Sequence, residues 1–322
     1  MPLTRNATFR QLATFHAVAR LGSVSAAADE MHLTQPAVSL QIAALEESAR
    51  TPLLQRSGRG IRLTEAGELL DGYARRILGL WREAGEEMAT LQGVFSGTLR
   101  VGAITTAEYL LPPMLVTFAN QHPGVKVNLQ VGNRDEIVRM LGSQEIDLAI
   151  MGRPPAELKT ASTPFAKHPM AFLASPDHAL MQGKAKVTMA QLSEQRILVR
   201  ERGSGTRATI ERLFKDAGLP LRIGSELSSN EAIKHMCAAG FGVAFLSMHT
   251  CVLEIEAGVL ALLPMAHNPI ERDWYVMRLA ARQLPHVAQA FEAFLVERGQ
   301  GEIRRQLGVK PAAKKAARRK PT

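Results

Sequence analysis

"VSAAADEMHLTQPAVSLQI" spans Val24 to Ile42 and joins an alanine-rich helical run to an abrupt break. The run ends at His32-Leu33-Thr34, and the sequence restarts at once with Gln35-Pro36. Threonine is a favoured helix cap, and proline is tolerated in the first helical turn because the N–H that it lacks has no partner there. The stretch therefore predicts two helices joined by a tight turn.

The pattern of apolar residues indicates which side of the next helix faces solvent. Apolar residues at helical spacing from Phe9 predict a first helix that runs to about Arg20, and Ser23 or Ser25 is available to cap the second. In the third helix an apolar stripe faces inward, so the N-terminal end of this helix is presented outward, as in a recognition helix that enters the major groove. The outward positions are Gln35, Pro36, Ser39 and Leu40.

A short basic hairpin follows the third helix. "LLQRSGRGIRLTEAG", from Leu53 to Gly67, is typical of two strands with Gly58 and Gly60 at the turn. A basic wing of this kind contacts phosphates or enters the minor groove, and it fixes position rather than sequence. The arginines of the predicted wing are Arg56, Arg59 and Arg62.

The next helix is long, running from Glu65 to about Gln92, on the order of 40 Å. Two series of residues recur every seven positions, which is typical of a coiled-coil seam. The seam packs either on its own domain or on a second chain. We favour a dimer, which would present two recognition helices to half-sites roughly 34 Å apart. The two series are Leu70, Ile77, Ala84 and Leu91, and Ala74, Trp81 and Met88.

These features together resemble the LysR-type transcriptional regulators. The resemblance is carried by "FRQLATFHAVARLGSVSAAADEMHLTQPAVSLQIAALEE", the wing and the long helix, and it covers nearly the whole chain. It implies promoter DNA and RNA polymerase as partners, and assembly of two dimers into a tetramer. The sequence departs from the family at Leu40, where many members carry a basic or polar residue. The DNA-binding residues assigned are Ser25, Thr34, Gln35, Pro36, Ser39, Gln41, Arg56, Arg59 and Arg62.

The net charge of +9 is concentrated at the two ends of the chain. Residues 302–322 hold eight basic residues and one acid, a net +7, and the first 64 residues hold a net +3, so the middle sums to −1. The tail, "KPAAKKAARRKPT", is low in complexity and is expected to be disordered. Such a tail either attracts phosphates without sequence preference or is simply solvated.

Composition argues against several other classes of protein. At 46% hydrophobic residues the chain can bury a sizeable core. It shows neither a signal-peptide pattern nor an apolar run near the roughly 18 residues that span a bilayer, which favours the cytoplasm. Cys237 and Cys251 match no metal or redox motif and are expected to be reduced thiols. We expect no metal site, no cofactor and no catalytic residues.

After a predicted hinge at 93–97, strand-like and helix-like runs alternate. This order predicts parallel sheets, with ligands at the carboxyl ends of strands. The resemblance implies two lobes around a ligand cleft, similar to periplasmic binding proteins, with the chain crossing near Thr163 and returning near Pro269. The candidate strands are "TLRVGAI", "VKVNLQV", "IDLAIMG", "MAFLAS", "RILVRE", "GVAFLS" and "WYVMR".

The predicted fold class is therefore α+α/β, in four parts. A winged helix-turn-helix domain occupies residues 1–64, a dimerisation linker helix 65–92, an effector-binding domain 93–300 and a basic tail 301–322. Within the effector domain, lobe I comprises about 97–163 and 269–298, and lobe II about 164–268.

Polar residues follow three of the candidate strands and one further predicted strand. The hydroxyl and N–H groups of two threonines after "VGAI" suit a carboxylate or phosphate, as does the helix start in "VRERGSGTRA" (Val199 to Ala208). "SSNEAIK" and "AIMGRPP" supply the other two junctions. The alternatives are plain helix caps, a solvated loop arginine, and arginines paired with Glu201 and Glu211. The effector-binding residues assigned are Thr105, Thr106, Arg153, Arg200, Arg202, Ser204, Thr206 and Asn230.

The second domain resembles one branch of the family, the CbbR type that controls the Calvin-cycle RuBisCO operon. The resemblance is carried by "STP…HP", "MGRPPAEL", "RERGSGTR", "SSNEAIK" and "AFLSMHT". It implies an anionic metabolite as effector, such as ribulose bisphosphate, phosphoenolpyruvate or NADPH.

Two other functions remain open from the residues alone. Gly203 to Ala208 fits G-x-G-x-x-A with Glu226 about 20 residues on, which also occurs in NAD(P)-dependent α/β enzymes. In that case the N-terminal helices would be a dimerisation module. A chromatin-like architectural protein that binds DNA through its basic tail is the other alternative.

Overall fold

The computed structural model of the protein describes residues 7–58, 60–91, 95–183 and 185–307. The chain divides into an N-terminal unit that ends at residue 92 and a C-terminal unit that starts at residue 93. Three sequence predictions fall outside the described residues, namely the wing residue Arg59, the first two hinge residues Gly93 and Val94, and the basic tail from residue 308 onward.

The N-terminal unit is a helical core with a two-stranded wing and one long helix. Ser23 accepts a hydrogen bond from the N–H of Ala26, and Thr34 accepts one from the N–H of Ala37, so both helices of the turn begin at a side-chain cap. The elements are α1 (Phe9–Leu21), α2 (Val24–Glu30), α3 (Gln35–Ala49), β1 (Leu54–Ser57), β2 (Gly60–Leu63) and α4 (Glu65–Leu91).

The break in the alanine-rich stretch is a left-handed turn. His32 has φ of 54°, and the N–H of Leu33 donates to the carbonyl of Ala28 at 2.9 Å. Leu33 then packs against a core that includes Phe15 and Val38. The predicted helix-turn-helix is therefore confirmed, with Leu33 joining the core between the two helices.

The start of α4 depends on a close backbone contact. Thr64 Oγ1 accepts a hydrogen bond from the N–H of Gly67 at 3.0 Å. The backbone of Gly67 packs against the backbone of Leu53, the residue before β1. A Cβ at Gly67 would lie 2.0 Å from the Leu53 carbonyl oxygen, so no side chain fits there. Further along α4, Asp71 Oδ1 lies 2.8 Å from His16 Nδ1 on α1, which ties the long helix to the domain core.

Two of the seven residues of the predicted seam on α4 face the domain itself. Leu70 packs against the N-terminal core and Ala74 is fully buried, because α1 lies along the first turns of α4. The predicted seam is therefore wrong at these two positions. The large apolar residues that α4 does expose are Leu69, Tyr73, Ile77, Leu80, Trp81 and Met88.

The C-terminal unit contains two five-stranded sheets. The first has the order β4-β3-β5-β12-β6, with β3 parallel to both β4 and β5 and with β12 antiparallel to β5 and β6. Its elements are β3 (Gly97–Ile104), α5 (Leu111–Gln121), β4 (Val125–Gly132), α6 (Arg134–Gly142), β5 (Leu148–Met151), β6 (Thr160–Lys167), β12 (Asp273–Leu279) and α11 (His286–Gln306).

The second sheet has the order β11-β7-β10-β8-β9, in which β8 is parallel to β9 and β10 while β7 is antiparallel to β10. Its elements are β7 (Met170–Ala174), α7 (Met189–Ser193), β8 (Ile197–Arg200), α8 (Gly205–Asp216), β9 (Ile223–Leu227), α9 (Asn230–Ala238), β10 (Val243–Ser247), α10 (Val252–Glu256) and β11 (Ala261–Leu262). Each sheet has its own apolar core, so the C-terminal unit consists of two lobes.

The chain crosses between the lobes later than predicted. Thr163 lies inside β6, opposite Val276 of β12, and β6 stays in the first sheet through Lys167. The predicted crossing near Thr163 is therefore wrong, and the chain crosses at His168-Pro169. The return follows Ile270, which forms an isolated bridge with Met170, close to the predicted Pro269.

The predicted tail also begins too early. Residues 301–306 belong to α11, whose Ile303 is buried in the first lobe, and Gln306 Nε2 donates to the carbonyl of Leu110 at 3.1 Å. The basic residues of this stretch lie on the exposed side of a helix that packs against the first lobe. The run of charge by itself did not predict that the stretch is helical.

Several predicted absences concern only the part of the chain that the structure describes. There, no helix combines the length and apolarity needed to cross a membrane, and no three potential metal ligands come together. Cys237 and Cys251 are free and buried, and burial raises the pKa of the Cys237 thiol to about 12.

Replacing Gly67 by alanine should destabilise the N-terminal unit by about 1–3 kcal/mol, because the new Cβ must displace the Leu53 backbone. Urea unfolding followed by circular dichroism measures this change. Gly72→Ala is the matched control, since a Cβ at Gly72 meets nothing within 4 Å on the same helix. That control should be neutral or stabilising. Equal losses in both variants would contradict the packing described for Gly67.

Candidate functional site

The N-terminal end of α3 presents an exposed polar face. Gln35, Pro36 and Ser39 are exposed there, while Val38 and Ile42 on the opposite side are buried. Ser25 is exposed at the start of α2, because Ser23 and not Ser25 caps that helix. This is the geometry of a helix that can dock in a DNA groove by its N-terminal end.

Two of the residues assigned to DNA contact are engaged within the domain. Gln41 is half-buried, and its Oε1 accepts a hydrogen bond from Thr14 Oγ1 on α1. Gln41 lies about two turns from the cap and packs toward α1, and its assignment to DNA contact stays a prediction. Thr34 is exposed, but its Oγ1 is occupied as the cap of α3. Leu40, 72% exposed, extends the same face with an apolar group.

The wing carries exposed arginines on both of its faces. Arg56 lies opposite Ile61, and Arg62 lies opposite Gln55, so the two arginines project from opposite faces of the ribbon. Both are exposed, and neither forms an ion pair with any described residue. Two free guanidinium groups on a thin ribbon suit contacts with phosphates on either side of it.

A cavity of about 320 Å³ lies between the two lobes. One wall is formed by the ends of β3 and β5, including Gly152 and Arg153. The opposite wall is the first turns of α8, including Thr206. The crossing segments contribute His168 and Arg272. The site therefore lies where the carboxyl ends of the strands meet a helix start, as expected for parallel sheets.

The charge in this cavity is positive and largely uncompensated. Arg153, Arg212 and Arg272 line it without a carboxylate partner among the described residues, and no lining residue is an acid. Burial and then the charges of Arg212 and Arg153 lower the pKa of Arg272. A fourth arginine, Arg134, is neutralised by Glu157 at 2.8 Å. Such a cavity attracts an anion.

Arg272 connects both lobes at the cavity wall. Its Nη1 donates to Thr209 Oγ1 at 2.7 Å, and its Nη2 donates to the carbonyl of Gly152 at 3.2 Å. Gly152 also permits a close approach by His168, because a Cβ there would lie 2.8 Å from His168 Nδ1. The guanidinium therefore retains donors for a ligand while it holds the two walls together.

The predicted effector residues divide into separate groups. Arg153 and Thr206 line the cavity. Ser204 is buried at the start of α8, where its side chain makes no capping hydrogen bond. Thr106 is buried, and Arg202 is exposed outside the cavity. Neither Thr106 nor Arg202 lines this cavity, so their assignment to effector binding stays a prediction.

Three further predicted residues form a hydrogen-bonded cluster of their own. Arg200 is 2% exposed, and its Nη1 donates to Thr105 Oγ1 at 3.1 Å and to Asn230 Oδ1 at 2.6 Å. Its remaining donors reach the carboxylate of Glu201. Arg200 thus joins Thr105 of one lobe to Asn230 of the other, and none of the three side chains lines the cavity. The predicted pairing of arginines with Glu201 and Glu211 is found in the structure.

The glycine-rich loop packs against a carboxylate of the other lobe. A Cβ at Gly203 would lie 3.0 Å from Asp135 Oδ2, so a carboxylate already stands where a dinucleotide would need to place its phosphates. Glu226 accepts a hydrogen bond from Arg207 and is not free for a ribose. The loop is therefore a poor dinucleotide site.

Sequence reasoning missed His168, Arg212 and Arg272. A signal for Arg212 existed, because Thr206, Thr209 and Arg212 are spaced by three on one face of α8. His168 and Arg272 could be recognised only once the two crossing segments were located, since neither follows a strand that was predicted to end there.

Fold and site together define a DNA-binding regulator with a ligand cavity. The family model "Bacterial regulatory helix-turn-helix protein, lysR family" matches residues 9–68, and "LysR substrate binding domain" matches residues 92–300. The HTH-type transcriptional regulator CbbR of Rhodospirillum rubrum is 44% identical over 287 residues, which cover 89% of this chain and 95% of that protein. The chain belongs to the LysR family of transcriptional regulators.

Two solved structures are similar to this chain, one to its C-terminal unit and one to nearly its whole length. The regulatory domain of Synechocystis PCC6803 CcmR in complex with 2-PG is 38% identical, with a TM-score of 0.60, and covers 63% of this chain and 97% of that one. Full-length CbnR complexed with its target DNA is 27% identical, with a TM-score of 0.65, and covers 93% and 99%. The predicted fold class is confirmed, and the NAD(P)-dependent enzyme alternative finds no support.

His249→Gln should make stability less sensitive to acid. Burial lowers the pKa of His249 to about 4, whereas a free histidine titrates near 6.5. The unfolded chain therefore binds a proton between these values and the folded chain does not, so stability falls as pH drops from 6.5 toward 4.

Between pH 6.5 and 5 the wild type should lose about 2 kcal/mol more than His249→Gln, measured by urea unfolding followed by tryptophan fluorescence. Above pH 7.5 the difference between the two proteins should be constant. Parallel curves throughout the acid range would contradict the buried neutral imidazole.

Proposed function

We propose that this protein is a LysR-type regulator whose operator binding is modulated by a compact anionic metabolite held between its two lobes. The observation that carries the proposal is the set of three uncompensated arginines around one cavity, in a chain that also carries an exposed recognition helix. The target genes proposed are those of carbon fixation.

Sequence reading is assigned to the exposed end of α3. Gln35 supplies both a donor and an acceptor, as bidentate adenine contacts require, and Ser39 is adaptable to either. Leu40 adds an apolar surface that suits a thymine methyl group. The wing residues Arg56 and Arg62 supply affinity through phosphates.

Self-association is assigned to the exposed apolar stripe of α4. Leu69, Tyr73 and Ile77 recur at intervals of four, and each is more than 40% exposed. A contiguous apolar stripe of this size on a helix is typical of a protein–protein interface. A pair of chains would place two copies of α3 on one DNA molecule, and two such pairs would form the tetramer that the family implies.

The proposed effector is a phosphorylated carboxylic acid or a similarly compact anion. CcmR, the relative solved with 2-PG (2-phosphoglycolate), carries the corresponding lobes. A cavity of about 320 Å³ is at the small end of the range for ligand sites, which favours 2-phosphoglycolate, phosphoenolpyruvate or ribulose bisphosphate over the dinucleotide NADPH.

The proposed target genes follow from the named relatives. Several, including CbbR of Rhodospirillum rubrum and a RuBisCO operon transcriptional regulator of Allochromatium vinosum, match about nine-tenths of this chain. An effector drawn from photorespiratory or Calvin-cycle chemistry would report the supply of carbon to such genes. The ligand would change promoter geometry and contact with RNA polymerase through unequal affinity for two states of the protein.

Gln35→Ala and Ser39→Ala should each reduce affinity for the selected operator by about 1–3 kcal/mol and leave random DNA almost unaffected, because each loses a base contact. Fluorescence anisotropy with an operator selected from genomic fragments measures both affinities.

Arg56→Ala is the matched control for this pair. It should weaken operator and random DNA alike and reduce the salt slope by about 1. Unchanged operator preference in both α3 variants would contradict the assignment of α3 as the recognition helix.

Arg153→Ala and Arg212→Ala should each weaken binding of 2-phosphoglycolate about 10- to 100-fold, because a charge-assisted hydrogen bond contributes about 1.5–3 kcal/mol. Isothermal calorimetry measures the binding, and operator affinity without ligand should be unchanged. Arg202→Ala is the control, since Arg202 is exposed outside the cavity. Loss of binding in Arg202→Ala alone would show that the ligand lies elsewhere.

A further inference from the structure

His168 is a buried polar group with no partner among the described residues. It is 3% exposed, and neither Nδ1 nor Nε2 makes a hydrogen bond. Its ring stacks on Trp274, with centroids 3.7 Å apart. An unpaired buried polar group is destabilising, so the burial of both imidazole nitrogens points to a hydrogen-bond partner that the described residues do not supply.

The side chain lies in the wall of the interlobe cavity. His168 is the first residue of the crossing from lobe I to lobe II, and its N–H donates to the carbonyl of Arg272 at 2.7 Å. None of the residues lining the cavity is an acid, and the charged side chains among them are arginines. The charged or titratable groups around His168 are Arg272 before β12, His249 after β10, Arg153 after β5, Arg212 on α8 and Arg134 on α6.

We propose that His168 is a ligand-binding residue that takes up a proton when an anion occupies the cavity, an inference that rests on the proposed function of that cavity. In the free protein, the pKa of His168 is held well below its ordinary value, chiefly by burial and then by the charges of His249 and Arg272. The imidazole is therefore neutral. A bound anion offsets the charge of Arg272 and accepts an imidazole N–H. The proton comes from solvent, and the imidazolium then has two donors.

The consequence is an affinity that falls as pH rises. The pKa of His168 lies well below 6.5 in the free protein and higher in the complex, so within that window each complex formed consumes protons. Linkage then lowers affinity by up to about tenfold per pH unit. The phosphate of 2-phosphoglycolate acts in the opposite sense, because it loses charge near pH 6. A probe that does not titrate is therefore required.

The experiment is calorimetry of sulfoacetate, which carries a sulfonate and a carboxylate and stays ionised over the range used. Full-length protein is titrated at pH 6.5 in PIPES, bis-Tris and imidazole, which all buffer at this pH and whose ionisation enthalpies differ. The dependence of the observed enthalpy on buffer gives the number of protons exchanged. We expect uptake, and a dissociation constant that rises several-fold between pH 6.5 and 8.

Two variants assign the proton to His168. His168→Gln keeps a neutral hydrogen-bonding group and should bind sulfoacetate with no proton uptake and a flat pH profile. His249→Gln is the matched control, because His249 also faces Trp274 but does not line this cavity. It should retain the uptake. If His249→Gln loses the uptake and His168→Gln keeps it, the proposal is overturned.

The proposal stays testable if His168→Gln does not fold. If wild-type protein binds sulfoacetate with equal enthalpy in all three buffers, after correction for dilution, it takes up no proton. That result overturns the proposal for His168 but leaves the proposed function of the cavity intact. Wild-type protein that binds neither sulfoacetate nor 2-phosphoglycolate overturns both this inference and the proposed function of the cavity. Binding with uptake supports both.

Discussion

The two chain segments that connect the lobes are hydrogen-bonded to each other, and the rest of the C-terminal unit depends on this junction. The N–H of His168 donates to Arg272 at 2.7 Å, and Met170 and Ile270 exchange both of their backbone hydrogen bonds at 2.7–3.0 Å. Both segments also carry cavity residues. The junction between the lobes and the proposed ligand site therefore coincide, so an anion bound there would contact the connections between the lobes directly.

The repulsion among the cavity arginines depends on how closely the two lobes approach. Arg153 belongs to lobe I, Arg212 to lobe II and Arg272 to the crossing between them. Bringing the lobes together without an anion concentrates like charge in a partly desolvated space, whereas an anion turns the same approach into attraction. The Arg200 cluster joins Thr105 of one lobe to Asn230 of the other by hydrogen bonds outside the cavity.

The sequence was sufficient for the helices of the DNA-binding domain because local signals agreed there. Capping residues, the Thr34–Pro36 turn and the inward stripe of α3 all act within a few residues of one another. All seven candidate strands are strands in the structure. The missed strand β6 contains Pro164, which is tolerated because β6 is an edge strand, and this error also misplaced the lobe crossing.

The cavity was harder to predict, because its chemistry depends on which charges remain unpaired. Arg200, Arg202 and Arg153 look alike in sequence. In the structure Arg200 is hydrogen-bonded in a buried cluster, Arg202 is exposed and Arg153 lines the cavity. The hydrogen bonds that each arginine forms, including those to the other lobe, decide which of them lines the cavity. Those partners depend on the tertiary structure and cannot be read from the local sequence. His168 illustrates the same limit, since a histidine beside a proline carries no sign that both of its nitrogens will be buried without a partner.

Coupling from the cavity to DNA requires only a modest energy. An allosteric free energy of about 1–3 kcal/mol changes operator affinity several-fold to a hundred-fold, and a ligand supplies it only if it binds the two states unequally. The proposed site takes its arginines from both lobes and from the crossing between them, so its fit to an anion depends on the arrangement of the lobes, as unequal affinity requires. A site confined to a single lobe would bind the anion equally well in both arrangements and would shift nothing.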